Sequence, residues 1–281
     1  MKTGHVFTSF GEFAYEDSGG SGTAILMLHG GASNLRAWDG VIPILRASYR
    51  CIALDLPGHG RTILNPLPFD DLSGALIQIC NELNVLNPIL IGHSFGGLAV
   101  AATAVRYPHL ALGVMAIDPY LNNKEIRQRY KTVDDATAEI RSMIWPWKDT
   151  YDLDTEVSRH AELSYSPREN ESDLKAMIRR GYRLQIDGRY ERFPRREDEI
   201  RGVEANWSID VGMTFSAIEC PLSISVSRDP VWRLEKRSEN LREIEQHVKV
   251  FETVEFQCGH DIPGHQPEEL GRYIVSWINR I

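Results

Sequence analysis

The feature that most constrains the fold of this chain is a strand–turn–helix pattern centred on Ser94. An apolar run at 89–91 leads into Gly92-His-Ser-Phe-Gly96, and small residues at 97–105 continue as a helix. A serine on so tight a turn needs neighbours without Cβ atoms, which the two glycines supply. Its hydroxyl would lie beside the start of a helix, where free N–H groups favour a developing negative charge. The pattern therefore predicts a nucleophilic serine, which also requires a base, an acid and an oxyanion site.

The order of apolar and amphipathic stretches predicts an α/β protein with a doubly wound, mostly parallel sheet. Two short strands are expected at 5–8 and 12–17. Continuous apolar runs, typical of buried parallel strands, then follow at 23–29, 49–55, 89–93, 111–118, 220–226 and 248–257. Helical patterns lie between or after them, at 35–46, 69–83, 97–105, 231–247 and 267–281. These runs predict an eight-stranded sheet with helices on both faces.

The alternation of strands and helices is interrupted between residues 119 and 215. This segment is charged, contains scattered aromatic residues and is mainly helical in pattern. Because strands resume after it, we expect a helical cap inserted into one core domain that comprises 1–118 and 216–281.

The composition and net charge of the chain indicate which kinds of binding partner are expected. The chain has 281 residues, of which 42% are hydrophobic and 25% charged, as in an ordinary soluble globular protein. A net charge of −8 disfavours nucleic acid and anionic membranes as partners. The four cysteines are scattered singly, so neither a metal site nor any other cofactor is expected. No signal peptide or membrane-spanning run is recognisable, which favours a cytoplasmic protein with a small-molecule substrate; a homodimer is left open.

A general base for the serine is sought among the nine histidines. His260 follows the last predicted strand on a loop opened by Gly259, where a side chain can reach over the carboxyl edge of the sheet. His265, in the same loop, is the main competitor, although its setting favours a turn into the last helix. The histidines at the other turns, His29, His59 and His93, are expected to bond to the backbone.

An acid must orient that histidine and stabilise its protonated form. Asp229 follows the strand that resumes after the insertion, and Pro230 fixes it on a turn because proline cannot continue the strand. Asp118, which ends the strand before the insertion, is the alternative acid. Asp55 ends a neighbouring strand and is expected to tie down the Gly58-His-Gly60 loop.

An oxyanion site needs backbone N–H groups that point to one place outside the sheet. The N–H of Phe95, directly after the serine, is one candidate. Gly31, in the His29-Gly30-Gly31 loop after the first buried strand, is the other, because a glycine lets the backbone approach a substrate closely.

Taken together, the motifs resemble those of the α/β-hydrolase superfamily. The resemblance rests on His29-Gly-Gly31 with Trp38, Asp55-Leu-Pro-Gly-His-Gly60, Gly92-His-Ser-Phe-Gly-Gly97 and Gly259-His260 followed by Pro267. It implies Ser94 as nucleophile, His260 as base, Asp229 as acid, Gly31 and Phe95 as oxyanion donors, and 119–215 as the cap. A serine at position 94 argues against the epoxide-hydrolase and haloalkane-dehalogenase branches, whose nucleophile is an aspartate.

The expected reaction is acyl transfer to water through an acyl-enzyme on Ser94. Aromatic residues suggest a pocket for a partly apolar ester, lactone or thioester. The residues expected to line it are Trp38, Tyr120, Trp145, Trp147, Phe193 and Trp207. The same nucleophile, base and acid would also serve a C–C bond hydrolase, a perhydrolase or a lyase. An alternative from a different class of function is a non-catalytic ligand receptor that has the same fold.

Overall fold

The structure is a computed structural model that describes residues 1–121, 123, 127, 130–143, 148–163, 170–229 and 231–281, with the side chains of 231–236 excepted.

Eight strands form one sheet, as the sequence predicts. Its members are β1 (Lys2–Thr8), β2 (Gly11–Asp17), β3 (Ala24–Leu28), β4 (Arg50–Leu54), β5 (Ile89–His93), β6 (Gly113–Ile117), β9 (Leu222–Ser227) and β10 (Phe251–Phe256). They lie side by side in the order β1-β2-β4-β3-β5-β6-β9-β10. The pairings of β1 with β2 and of β2 with β4 are antiparallel, and the others are parallel. The carboxyl ends of the parallel strands therefore share one edge, where ligands bind in open α/β sheets.

Helices and one hairpin account for the other described elements. The helices are α1 (Ile42–Leu45), α2 (Phe69–Glu82), α3 (Phe95–Arg106), α4 (Val133–Ser142), α5 (Leu153–Glu162), α6 (Glu171–Arg180), α7 (Arg196–Asn206), α8 (Val211–Ser216), α9 (Val231–Glu245), α10 (Ile262–His265) and α11 (Pro267–Ile278). The hairpin pairs β7 (Tyr182–Leu184) with β8 (Tyr190–Arg192) in an antiparallel ribbon.

The sheet has a hydrophobic core on each face. Because side chains alternate along a strand, Ile25 and Met27 of β3 face one core while Leu26 and Leu28 face the other. Helices α2, α3 and α8 pack in the core that contains Leu26, and α1 and α11 pack in the opposite core. Coverage of both faces explains why the parallel strands are continuous apolar runs rather than alternating ones.

The helix expected over 35–46 is wrong in extent. The chain there makes a 3-10 turn at Leu35–Trp38 and then the short helix α1. Gly40 lies between the two pieces, and Pro43 has no N–H to donate within a continuous helix.

Helices α4 to α8 and the hairpin lie between β6 and β9 in the chain, within the segment expected to form the cap. Part of this segment is tied to the core. The Nε of Arg180 in α6 bonds to the carboxylate of Asp55 at 3.0 Å, and the Nε of Arg183 donates to the Gly60 carbonyl at 2.7 Å. Over the described residues, no helix is both long and apolar enough to cross a bilayer.

Candidate active site

Ser94 lies on the turn between β5 and α3, at the carboxyl edge of the sheet. Its backbone has φ 51° and ψ −114°, a conformation that side-chain-bearing residues rarely adopt. The Ser94 N–H donates to the Ile117 carbonyl at 2.8 Å, and the Ser94 carbonyl accepts from Gly97 at 2.9 Å. These bonds hold the strained residue between strand and helix.

Two of the glycines around Ser94 are required by close backbone approach. A Cβ at Gly92 would lie 2.1 Å from the Gly96 carbonyl oxygen, and one at Gly96 would lie 2.4 Å from the Leu28 carbonyl oxygen. Both contacts are with backbone atoms that cannot rotate away. The turn therefore depends on glycine at both positions, as the sequence pattern indicates.

His260 connects the serine to a carboxylate. Its Nε2 lies 3.0 Å from Ser94 Oγ, and its Nδ1 lies 2.5 Å from Asp118 Oδ2. His93 supports the backbone at this point, because its Nε2 lies 2.8 Å from the His260 carbonyl oxygen. The side chains of Ser94, His260 and Asp118 form a continuous hydrogen-bonded series from hydroxyl to imidazole to carboxylate.

Asp118 is fully buried directly after β6 and has several polar partners. Ser227 donates to it through its backbone N–H at 2.7 Å and through its hydroxyl at 2.9 Å, and Arg237 of α9 pairs with Oδ1. Burial alone raises the pKa of Asp118, but the hydrogen bonds from His260 and Arg237 outweigh burial and bring the pKa well below its ordinary value. The carboxylate is therefore ionised at neutral pH. Nothing in the sequence pattern marks Arg237 as its partner.

The structure places Asp118, and not Asp229, the residue expected as the acid, beside His260. Both ring nitrogens of His260 are engaged, one by Ser94 and the other by Asp118. Asp229 is exposed two residues beyond the end of β9, and its backbone N–H donates to the Cys258 carbonyl at 3.1 Å. The alternative acid, Asp118, occupies the position because β6 lies between β5 and β9 in the sheet.

The expectations for the turn histidines are confirmed. His29 Nδ1 lies 2.7 Å from the Gly30 carbonyl oxygen, His59 Nδ1 lies 2.9 Å from the Pro57 carbonyl oxygen, and His93 bonds to the backbone as described above. His265 ends the short helix α10 that leads into α11. The expectation for Asp55 is also confirmed, because its Oδ2 accepts the Arg61 N–H at 2.7 Å and so ties down the loop.

A cavity of about 350 Å³ adjoins the Ser94 turn. Gly31 and Phe95, the residues expected to supply the oxyanion donors, both belong to its wall. Phe95 is the first residue of α3, so its N–H has no partner within that helix. The remaining wall is mainly apolar. It includes Leu67 and residues of α2 and α3, namely Phe69, Leu72 and Leu98, together with residues that lie between β6 and β9 in the chain, namely Ile140, Met143 and Val203.

The aromatic residues expected at the substrate site divide into three groups. Tyr120 and Trp207 line the cavity. Trp38 and Phe193 lie elsewhere: Trp38 is fully buried in the core beside α1, and the Phe193 ring stacks against the guanidinium of Arg183 at 3.7 Å. Trp145 and Trp147 lie outside the described residues. An apolar core and a cation–π contact account for Trp38 and Phe193, and aromatic character alone could not separate these roles.

This geometry is suited to nucleophilic acyl transfer. The imidazole can take the proton of the Ser94 hydroxyl, and the buried anionic carboxylate stabilises the imidazolium that forms. Preorganised N–H groups beside a helix N-terminus can stabilise an oxyanion.

Comparison with known proteins agrees with the fold and with the overall class of site. The model of the alpha/beta hydrolase family matches residues 25–272. Pyrrolizixenacetamide deacetylase from Xenorhabdus hominickii is 24% identical over 268 residues, which cover 92% of each chain. The dihydrolipoyllysine-residue acetyltransferase component of the acetoin cleaving system of Pseudomonas putida is 38% identical over 85 residues, 30% of this chain and 23% of that protein. Matches of this local kind span less than two fifths of those relatives' own length.

Solved structures resemble the chain over nearly its whole length. E-2-(acetamidomethylene)succinate hydrolase has a TM-score of 0.79 at 18% identity, covering 99% of each chain. The thioesterase domain from the curacin biosynthetic pathway has a TM-score of 0.78 at 19% identity, covering 98% of this chain and 100% of that one. At such low identity these likenesses concern the fold. The match over 25–272, on a sheet whose fifth strand ends at the Ser94 turn, shows that the chain belongs to the alpha/beta hydrolase family.

Proposed function

We propose that this hydrolase cleaves a small-molecule ester, lactone or thioester through an acyl-enzyme on Ser94. The observation that supports the proposal most directly is the hydrogen-bonded series Ser94–His260–Asp118, with 3.0 Å between Oγ and Nε2 and 2.5 Å between Nδ1 and Oδ2. In this series Ser94 is the nucleophile, His260 the general base and Asp118 the acid, in the place first assigned to Asp229.

In the proposed reaction, Ser94 Oγ attacks the carbonyl carbon while its proton passes to His260 Nε2. The carbonyl oxygen becomes an oxyanion that accepts from the N–H groups of Phe95 and Gly31. His260 then protonates the leaving alcohol or thiol as its bond to the carbonyl carbon breaks. A water, deprotonated by His260, cleaves the acyl-enzyme and returns the free acid.

The cavity indicates the class of substrate. Its apolar wall favours a partly hydrophobic molecule, and about 350 Å³ is within the range of small-molecule sites. We propose that the 119–215 segment acts as a cap, because residues from it, Ile140 and Val203 among them, complete that wall. The deacetylase from Xenorhabdus hominickii, a relative, and the curacin thioesterase domain, which is similar in structure, have names that describe removal of an acyl group, and this supports the proposal.

The proposal is tested by a panel of p-nitrophenyl esters, lactones and thioesters of graded acyl length. Ser94→Ala and His260→Ala are expected to lower kcat by several orders of magnitude while leaving the circular dichroism spectrum unchanged. A fluorophosphonate should label the wild type at Ser94. Turnover close to wild type in either variant would refute the assignment.

The same experiment addresses the alternatives. A C–C bond hydrolase or a lyase would be labelled at Ser94 yet leave the ester panel largely uncleaved, whereas a perhydrolase would transfer the acyl group of these esters to added hydrogen peroxide. A non-catalytic receptor would bind ligand without labelling, because labelling requires an activated serine. We also propose a cytoplasmic location, which cell fractionation tests. We propose neither a nucleic acid nor a membrane as a partner.

A further inference from the structure

The wall of the cavity contains a polar pair that the proposed reaction does not use. Glu199, in the first turn of α7, and His59, in the loop after β4, both belong to this wall. Glu199 Oε1 and His59 Nε2 lie 3.8 Å apart, which is too long for a hydrogen bond. Both atoms are shielded from solvent, and among the described residues neither has a hydrogen-bond partner.

When Glu199 is ionised, both atoms of the pair are acceptors. Burial, together with the neighbouring His29, lowers the pKa of His59 to about 3, so the ring is neutral near pH 7. Its Nδ1 lies 2.9 Å from the Pro57 carbonyl oxygen and must therefore hold the ring proton, which leaves Nε2 as an acceptor. A carboxylate at Glu199 also only accepts. Two buried acceptors that face each other without a donor are unfavourable unless a ligand supplies one.

The pair lies close to the proposed oxyanion site. The backbone N–H of Ala32, the residue directly after Gly31, lowers the pKa of Glu199 and therefore lies near its carboxylate. Neighbouring Cα atoms are ~3.8 Å apart, so Glu199 lies on the same side of the cavity as Gly31, and both residues belong to its wall.

The charges around the cavity favour a cation. Among the described lining residues, the acidic side chains are Glu139, Asp198 and Glu199, and the basic one is Arg127. Burial raises the pKa of Glu199 against the lowering effect of the Ala32 N–H and the Arg192 guanidinium, and the neighbouring Asp198 adds to the rise. A bound cation would oppose both effects and hold Glu199 in its charged form.

We infer that the His59–Glu199 pair binds a primary ammonium group of the substrate, close to the carbonyl that Ser94 attacks. This inference rests on the proposed function and narrows its substrate class. A hydroxyl has one proton to donate, whereas an ammonium has three and can bond to both acceptors. A nitrogen on the cavity side of the pair, about 2.9 Å from each acceptor, can reach both, since the terminal torsion of Glu199 turns easily.

The test uses isosteric substrates that differ only in the amine. One pair places it on the acyl part, the N-acetylcysteamine thioesters of 3-aminopropanoate and butanoate. The other places it on the alcohol part, 3-aminopropyl acetate and butyl acetate. In one of the two pairs, wild-type kcat/KM at pH 7 should be at least about 10-fold higher for the amine. Glu199→Gln should lower that ratio by about 10- to 100-fold, the usual effect of a hydrogen bond to a charged group.

The matched control is Glu197→Gln, which removes the same charge from the same first turn of α7 at an exposed position. It should leave both the activity and the ratio unchanged. The ratio in the wild type needs no variant to fold, so it tests the inference even if Glu199→Gln is unstable.

The outcomes separate the inference from the proposed function. If the wild type cleaves the apolar members through Ser94 but shows no preference for the amine in either pair, the inference is overturned and the function stands. A ratio that Glu199→Gln leaves unchanged, or that Glu197→Gln lowers equally, also overturns the inference. If no member is cleaved and Ser94 is not labelled, both are overturned.

Discussion

Asp118 differs from an ordinary aspartate in its backbone conformation, its burial and the number of its polar contacts. It has a φ of 46°, it is fully buried, and its carboxylate contacts His260, Ser227 and Arg237. A buried carboxylate is costly unless it is paired and hydrogen-bonded, and these partners meet that requirement. A buried anion at this position can fix the tautomer of His260 and stabilise its protonated form.

Asp118→Asn should lower kcat for ester hydrolysis by on the order of 10³- to 10⁴-fold, because a neutral amide cannot stabilise the imidazolium. It should also destabilise the protein by about 3–5 kcal/mol, since Arg237 is left buried without its anion. Kinetics should be measured at a temperature where circular dichroism shows the variant to be folded. Asp229→Asn is the control, with kcat within about twofold of wild type; a larger loss there than in Asp118→Asn would restore Asp229 as the acid.

Glycines in the Ser94 turn and in the 119–215 segment differ in what surrounds them. Gly92 approaches the backbone of Gly96, whereas a Cβ at Gly202, inside α7, would meet its nearest atom at 3.9 Å. Gly92→Ala should therefore lower the free energy of unfolding by about 1–3 kcal/mol through overpacking. Gly202→Ala should raise it by up to about 1 kcal/mol, because alanine favours the helix. Urea denaturation of the two variants measures both changes, and equal effects would contradict this account of the turn.

At the scale of elements, α6 joins the 119–215 segment to the sheet through a buried cation. The side chain of Arg180 reaches both Asp55, directly after β4, and Glu16 of β2, and all three side chains are largely buried. The neighbouring Arg179 instead pairs with the exposed Asp154. Two adjacent arginines on one helix thus make a buried and an exposed ion pair.

Arg180→Met should destabilise the protein by about 3–5 kcal/mol, because it leaves the Asp55 carboxylate buried without its cation. Arg179→Met removes the same charge one residue earlier and should cost at most about 1 kcal/mol, as exposed ion pairs do. The comparison is made by chemical denaturation at one salt concentration. Similar losses in the two variants would show that burial of the pair is not what anchors α6.

At the scale of the whole molecule, four buried histidines are expected to make the protein less stable in acid. Burial is the main cause that lowers the pKa of His29, His59 and His160 to about 3 and that of His93 to about 4. Their pKa in the unfolded chain is about 6.5. Below that pH the unfolded chain binds protons that the folded protein does not, so stability falls as the pH falls.

The free energy of unfolding should therefore decrease as the pH is lowered from about 6.5 to about 4, by up to about 1.4 kcal/mol per pH unit for each histidine. The Asp118 pair is lost only at lower pH, because its folded pKa lies below the unfolded value and its contribution is complete above about pH 4. Urea denaturation across this range measures the slope. His93→Gln should reduce the slope by the share of one histidine, and a stability independent of pH between 4 and 6.5 would contradict the prediction.

Much of the site could be predicted because the chemistry is encoded locally. The turn at Ser94 needs small residues at fixed neighbouring positions, and His260 follows the last strand, so both are readable from short stretches of chain. The same holds for the strands, whose continuous apolar runs reflect burial on both faces of the sheet. The prediction of one helix over 35–46 was wrong in extent, because the spacing of apolar residues does not show that the chain packs as two short helical pieces.

The sequence by itself therefore determined the α/β fold and the turn that carries Ser94, and it led to the proposal of Ser94 as nucleophile and His260 as base, because each depends on residues adjacent in the chain. Only the tertiary structure showed which of Asp118 and Asp229 contacts His260. Each of these aspartates follows a strand of the same sheet, and each lies between Ser94 and His260 in the sequence. The order of the strands in the sheet, with β6 between β5 and β9, is what separates them. The tertiary structure likewise placed Arg237 beside Asp118 and Glu199 opposite His59. These contacts join residues more than a hundred positions apart, and no local pattern specifies such pairs.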